Sequence, residues 1–239
     1  MRYFIIFICN TLLSICTAQI NTEAMRNDDS KIGIYNNLSF DFAYFSGQKN
    51  ILQINTSYRL DYLTQSNLYG FISCYYNRAF EKNKEDFSNR GFIHFRIAKT
   101  LLNKIDFESF LQKETNQFIN LQNRELLGCG LRYNQINNLF IGLGAMLEIE
   151  KYKNNEIQQF IKSTNYINYK INIFNGINLQ NVIYYQLSIV DPLNYRILWD
   201  GSLTFEASEK IYFQINTFYR YDINSESYFE ISNGISCKF

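Results

Sequence analysis

RILWDGSLTFEASEKIYFQINTFYRYDINSESYFEISNGISCKF, residues 196–239, is the stretch whose reading decides the fold. In its final run Phe229, Ile231, Ile235 and Phe239 share one parity, and Glu230, Ser232, Gly234, Ser236 and Lys238 share the other. The run before it divides the same way, with Ile211, Phe213, Ile215, Tyr219 and Tyr221 against Gln214, Asn216, Arg220 and Asp222. Side chains of a strand alternate between faces, so a period of two sends the apolar set to one sheet face and the charged set to the other. The stretch stops on Phe239 without a polar tail. A membrane barrel's last strand ends in this way, and the barrel-assembly machinery is the partner expected to engage it.

The same alternation recurs upstream. Leu52, Ile54, Tyr58 and Leu60 stand against Gln53, Asn55, Ser57 and Arg59, and Ile93, Phe95 and Ile97 against His94 and Arg96. Leu127, Cys129, Leu131 and Tyr133 oppose Gly128, Gly130 and Arg132, and residues 139–149 carry an unbroken apolar stripe. Short polar breaks separate these runs, at 46–50, 64–67, 81–89, 103–104, 119–124, 137–138, 153–157, 175–176, 191–195, 209–210 and 224–227. The pattern predicts an all-β fold, a closed antiparallel transmembrane β-barrel of about twelve strands, each near the roughly 9–11 residues a tilted span requires. An even count returns both termini to the periplasmic side.

Composition agrees. Tyr 19 and Phe 21 against Pro 1 favour pleated sheet, and a mean hydropathy of -0.24 suits strands whose two faces cancel. Residues 1–18 read as a signal peptide, with Arg2 as the charged start, an apolar run after it and small residues before Gln19. A lipoprotein cut at Cys16 is the rival, disfavoured by the bulk of Ile15. Residues 19–32 read as a flexible periplasmic leader and 33–239 as the barrel. Arg2 is the one charge in the signal, so the remainder holds 22 basic and 22 acidic residues. No basic stripe exists for nucleic acid. Beyond the signal, Cys74, Cys129 and Cys237 have no metal-ligand spacing, and neither metal nor cofactor is expected.

About twelve apolar stripes turned inward would have to fill one core, and a twelve-stranded barrel closed on them would leave too much volume to pack densely, whereas turned outward they meet lipid. The outer membrane is therefore the expected location and its lipid the expected surround. The polar parity then lines the lumen: His94, Arg96, Arg132, Glu148, Glu150, Asp200, Glu206, Arg220, Asp222, Glu230 and Lys238, with Asp41, Arg59, Lys162 and Lys170 beside them. Charges of both signs in a narrow lumen are expected to pair, either filling the barrel or lining a pore for ions or small polar solutes. The inward glycines Gly128, Gly130, Gly142 and Gly144 would leave space for a solute or let Tyr212 and Phe218 pack across. His94 is the one histidine and falls on the lumen parity, with no serine assignable beside it, which argues against a lipid-modifying or proteolytic outer-membrane enzyme. A non-enzymatic barrel is the first reading; that enzyme and an exported soluble β-barrel binding protein are the alternatives.

Several stretches also resemble one family. Tyr195-Arg196-Ile197-Leu198-Trp199-Asp200-Gly201-Ser202-Leu203, Tyr219-Arg220-Tyr221-Asp222, Asn233-Gly234-Ile235-Ser236 and Lys238-Phe239 resemble the carboxy-terminal half of the salt-induced outer-membrane protein family, a domain family of unknown function. Phe45-Ser46-Gly47-Gln48-Lys49-Asn50 is similar to its first hairpin, with Gly-Gln-Lys-Asn where the family turn has Gly-Asn, and Gly128-Cys129-Gly130-Leu131 to its central strand. The resemblance implies an outer-membrane β-barrel and brings no ligand or reaction; the non-enzymatic reading gives that barrel a structural, envelope-stress or small-solute pore role.

Overall fold

The computed structural model describes residues 23, 26, 32–45, 51–81, 86–117, 120–134, 138–208, 211–223 and 225–237. The signal at 1–18, most of the leader at 19–32, the hairpin turn at 46–50 and the terminal Lys238-Phe239 pair lie outside the described residues. Every regular element among the described residues of any length is a strand. They are β1 Gly33–Phe45, β2 Ile51–Leu63, β3 Leu68–Glu81, β4 Asp86–Leu102, β5 Ile105–Asn116, β6 Leu121–Asn134 and β7 Leu139–Tyr152. Then follow β8 Ile157–Ser163, β9 Asn165–Phe174, β10 Ile177–Leu187, β11 Tyr195–Glu206, β12 Ile211–Asp222 and β13 Ser225–Cys237.

Strand order runs β1 to β7 and then β9 to β13, twelve antiparallel positions with β8 also paired to β7. The single strand expected over 159–174 is thus cut at Thr164: β8 faces residues 145–151 of β7, and β9 faces 139–142. Several loops are shorter than the sequence suggested, among them 224–227, where β13 begins at Ser225. β4 begins at Asp86, and β6 begins at Leu121, which takes residues 121–124 out of the expected 119–124 loop. The described pairings include none between β1 and β13.

The turns follow from residue chemistry. Asn67, Asn120, Asn138 and Asn155 take φ of 57, 56, 66 and 62°, and Gly176 takes 83°. Asn and Gly are the residues that enter this left-handed region at least cost, and tight connections between antiparallel strands need it.

Burial along the strands is inverted relative to a water-soluble protein. On β4, Ile93 is 50% exposed and Ile97 39%, while His94 and Arg96 between them are 0% and 3% exposed. On β6, Leu127 and Leu131 are exposed and Arg124 and Arg132 are buried. In water each exposed aliphatic would forgo roughly 1.5–3 kcal/mol of burial while the charges lost their hydration, so the arrangement favours an apolar surround.

The chain divides into two compact units, each described by itself. The first takes Asn27–Arg132 and Leu143–Ser163, and the second Tyr133–Gly142 and Thr164–Phe239 with the turn at Glu23 and Arg26. Within the first, Tyr69, Phe71 and Ala98 form a small apolar core with Leu63; within the second, Tyr166, Val182, Tyr184 and Leu198 do so with Phe218.

Candidate functional site

The buried face of the first unit is a charge network centred on Arg124. Strand pairing brings β5, β6 and β7 side by side, and period-two alternation sends Glu114, Arg124, Glu148 and Glu150 to the same face. Arg124 Nε donates to Glu150 Oε1 at 2.7 Å and lies 3.3 Å from Glu148 Oε1, while Nη1 lies 3.3 Å from Glu114 Oε2. Lys162 Nζ on β8 stands 2.8 Å from Glu148 Oε2, and Arg90 Nε stands 3.8 Å from Glu114 Oε1. Tyr152 Oη donates to Glu150 Oε2 at 2.9 Å. Three guanidinium or ammonium groups therefore meet three carboxylates, and the fork of Arg124 satisfies several oxygens at once.

Further along the same face Arg96 Nη1 sits 3.5 Å from Glu108 Oε2, and Arg132 Nη1 sits 3.6 Å from Asp106 Oδ2. Arg59 donates twice to Asp61, at 2.6 and 2.7 Å, and Tyr69 Oη donates to Asp61 Oδ1 at 2.6 Å. Between these pairs His94 is held by rings: its ring centre lies 5.4 Å from Phe71 and 6.0 Å from Phe110. The Arg59 guanidinium covers Phe71 at 4.7 Å and that of Arg96 covers Phe110 at 5.5 Å, so an Arg–Phe–His–Phe–Arg ladder crosses β2 to β5. His94 Nδ1 donates to Gln112 Oε1 at 3.2 Å. Ser73 is its cross-strand neighbour, the serine that sequence could not assign, yet His94 Nε2 has no hydrogen-bond partner.

In the second unit Arg196 Nε and Arg220 Nη2 both donate to Asp222 Oδ2, at 2.6 and 2.7 Å. Asp200 is half-buried on β11, and Glu206 is exposed at the end of that strand, accepting from Asn178 Nδ2 at 3.3 Å. Glu206 thus sits at a strand end and not deep on the buried face. Glu230 pairs with Phe218 in register, while its side chain, like that of Asp41 and all of Lys238, lies outside the described residues. Glu23, from the segment read as a free leader, is fully buried and accepts from Asn168 Nδ2 at 3.0 Å.

The sequence reading therefore placed His94, Arg96, Arg132, Glu148, Glu150, Arg220 and Asp222 on the face that is buried, and it missed the hub. Arg124 falls in the break expected at 119–124, where Asn120 and Asn123 flank it, and Glu108 and Glu114 lie in the 105–118 run, which alternates poorly by hydropathy. The available signal is the inward parity of Arg132 and Gly128, which, carried back along the strand, reaches Leu126 and Arg124. Two of the inward glycines admit rings, but not those expected: a Cβ at Gly128 would collide with Phe110, and one at Gly142 with Tyr166. Gly130 and Gly144 lie against each other's backbone. Among the described residues no group of three His, Cys, Asp or Glu is placed to hold a metal.

No family model matches the chain, the salt-induced family included. No curated protein matches it either. Solved structures do. The chain is similar to the NanC porin, with a TM-score of 0.50 and 12% identity over 78% of this chain and 94% of that one. Two structures of the KdgM porin align with TM-scores of 0.47. One, in complex with disordered oligogalacturonate, covers 84% of this chain and 98% of its own at 11% identity; the other covers 86% and 98% at 10%. At 12% identity the likeness to the NanC porin is one of fold: an all-β antiparallel sheet with a porin's arrangement of strands.

Proposed function

We propose that this chain is a non-enzymatic outer-membrane β-barrel whose interior is a narrow path for ions or small polar solutes, constricted at the Arg124 cluster. The observation that carries the reading is the inverted burial, with paired charges within and aliphatic side chains without. Twelve antiparallel positions form an even-numbered set that can close on itself, and closure would satisfy the backbone groups that lipid leaves without water. The porin fold supports the same reading. Export through the signal at 1–18 and assembly through the strand ending at Phe239 belong to this proposal. The inverted burial also weighs against an exported soluble binding protein, which would expose those aliphatic side chains to water.

Planar-bilayer recording tests it. The wild type should give small, discrete conductance steps, and Arg124→Ala should raise the unit conductance at least twofold by emptying the constriction. Silence from both proteins, each shown to be folded, would favour a second reading. In that reading the network is a filling that holds the barrel shut, which the complete burial of the Arg124 and Glu114 side chains supports. A lipid-modifying role would require His94 to meet lipid, yet it is enclosed between Phe71 and Phe110. His94→Ala should leave lipid profiles unchanged. An envelope-stress role predicts a growth defect of a deletion strain at high salt.

A further inference from the structure

On the exposed face of the first unit, β4 to β7 enclose an apolar groove of about 460 Å³. Phe95, Leu111, Leu127 and Leu147 line it, one from each strand, with Phe95 and Leu111 paired in register. One step nearer the strand ends joined by residues 117–120 come Ile93 and Ile149, and between them Lys113 and Glu125. Lys113 Nζ lies 3.2 Å from Glu125 Oε1, and the two side chains remain 59% and 50% exposed. Beyond this level the face turns polar: Asn123 Nδ2 donates to Glu125 Oε1 at 3.0 Å, and Lys151, two residues past Ile149, is exposed. Polarity thus rises along one direction, from aliphatic floor to charged shelf.

We infer that this groove is a binding site for one membrane phospholipid, its acyl chain along Leu111 and Leu127 and its phosphate on Lys113 and Lys151. The inference rests on the membrane reading above. A cleft on a lipid-facing surface forfeits dispersion contacts unless a chain fills it, and below the Lys113–Glu125 level the lining is aliphatic and aromatic but for Gln112. Charged side chains are costly at the bilayer midplane and nearly free near the interface, so a shelf near the strand ends is where a phosphate would lie. Lys113 and Lys151 against Glu125 leave one positive charge over, which matches a single phosphodiester and gives it charge-assisted hydrogen bonds. A second copy of the chain is the poorer occupant, because it would have to bury the Lys113–Glu125 pair and meet its desolvation cost.

The test is native mass spectrometry of the full-length protein in mild detergent, titrated with phosphatidylglycerol, with boiled and unboiled gel mobility of each sample alongside. The wild type should retain one lipid per chain. Lys113→Ala combined with Lys151→Ala should lower retention at least fivefold, and Leu127→Trp should do the same by filling the groove. Ile183→Ala, on the exposed face of the other unit, should not. Equal retention in all four, with each still shifting on boiling, overturns the site and leaves the barrel standing. A wild type with no shift overturns the membrane reading and the site with it.

Discussion

Removing the Arg124 guanidinium would leave Glu114, Glu148 and Glu150 around Lys162 and Arg90, three carboxylates against two cations with almost no access to water. Breaking a buried ion pair from one side costs about 3–5 kcal/mol, because the remaining charge is uncompensated. Arg124→Ala should lower the free energy of unfolding by that amount in urea titrations of the protein refolded into lipid. Arg124→Met combined with Glu150→Leu should recover part of the loss, since contacting groups are not additive. Sterics give a second case. Gly128→Val should destabilise the protein by about 1–3 kcal/mol through overpacking against Phe110, and Phe110→Ala should relieve it. At this scale the sequence is legible only in part. His94 announces its face because Ile93, Phe95 and Ile97 frame it, whereas Arg124 sits four residues into a strand whose first polar residues look like a turn.

Strands carry the legible information, since most exposed faces are marked by their own alternation, that of β5 being the exception. Ile183 projects from the middle of β10 and is 49% exposed. Ile183→Arg should cost about 2–4 kcal/mol in a bilayer if that face meets lipid near the midplane. Unfolding in vesicles against unfolding in short-chain detergent would show it. The interruption at Thr164 is not legible: alternation runs unbroken through Ser163, Thr164 and Asn165, and only the pairing with β7 shows two strands there. Loop chemistry adds a pH dependence. In the connection between β7 and β8, hydrogen bonds from Gln158 and then Asn154 hold the Glu156 carboxyl below its usual range, while Asn154 Oδ1 accepts from the Glu156 N–H. A depressed folded pKa means the ordering is present above the usual carboxylate range and is lost as pH falls through the depressed value. Amide exchange over 153–157 should therefore accelerate on acidification, and Glu156→Gln should abolish that pH dependence.

At the scale of the whole molecule the question is which face of the strands would meet lipid. That question was open to sequence analysis because charged and aliphatic residues keep separate parities over most of the chain. How the charges pair was not, since pairing depends on register and Arg124, Glu114 and Glu150 are brought together across β5, β6 and β7. If the aliphatic face meets lipid, the sheet closes and resists detergent until heated. The most direct measurement is gel mobility of outer-membrane fractions, boiled and unboiled, after carbonate extraction. The account predicts that the protein stays with the membrane and changes mobility on boiling. A carbonate-soluble protein whose mobility does not change would contradict it, and the residues assigned to the interior would then require another surround.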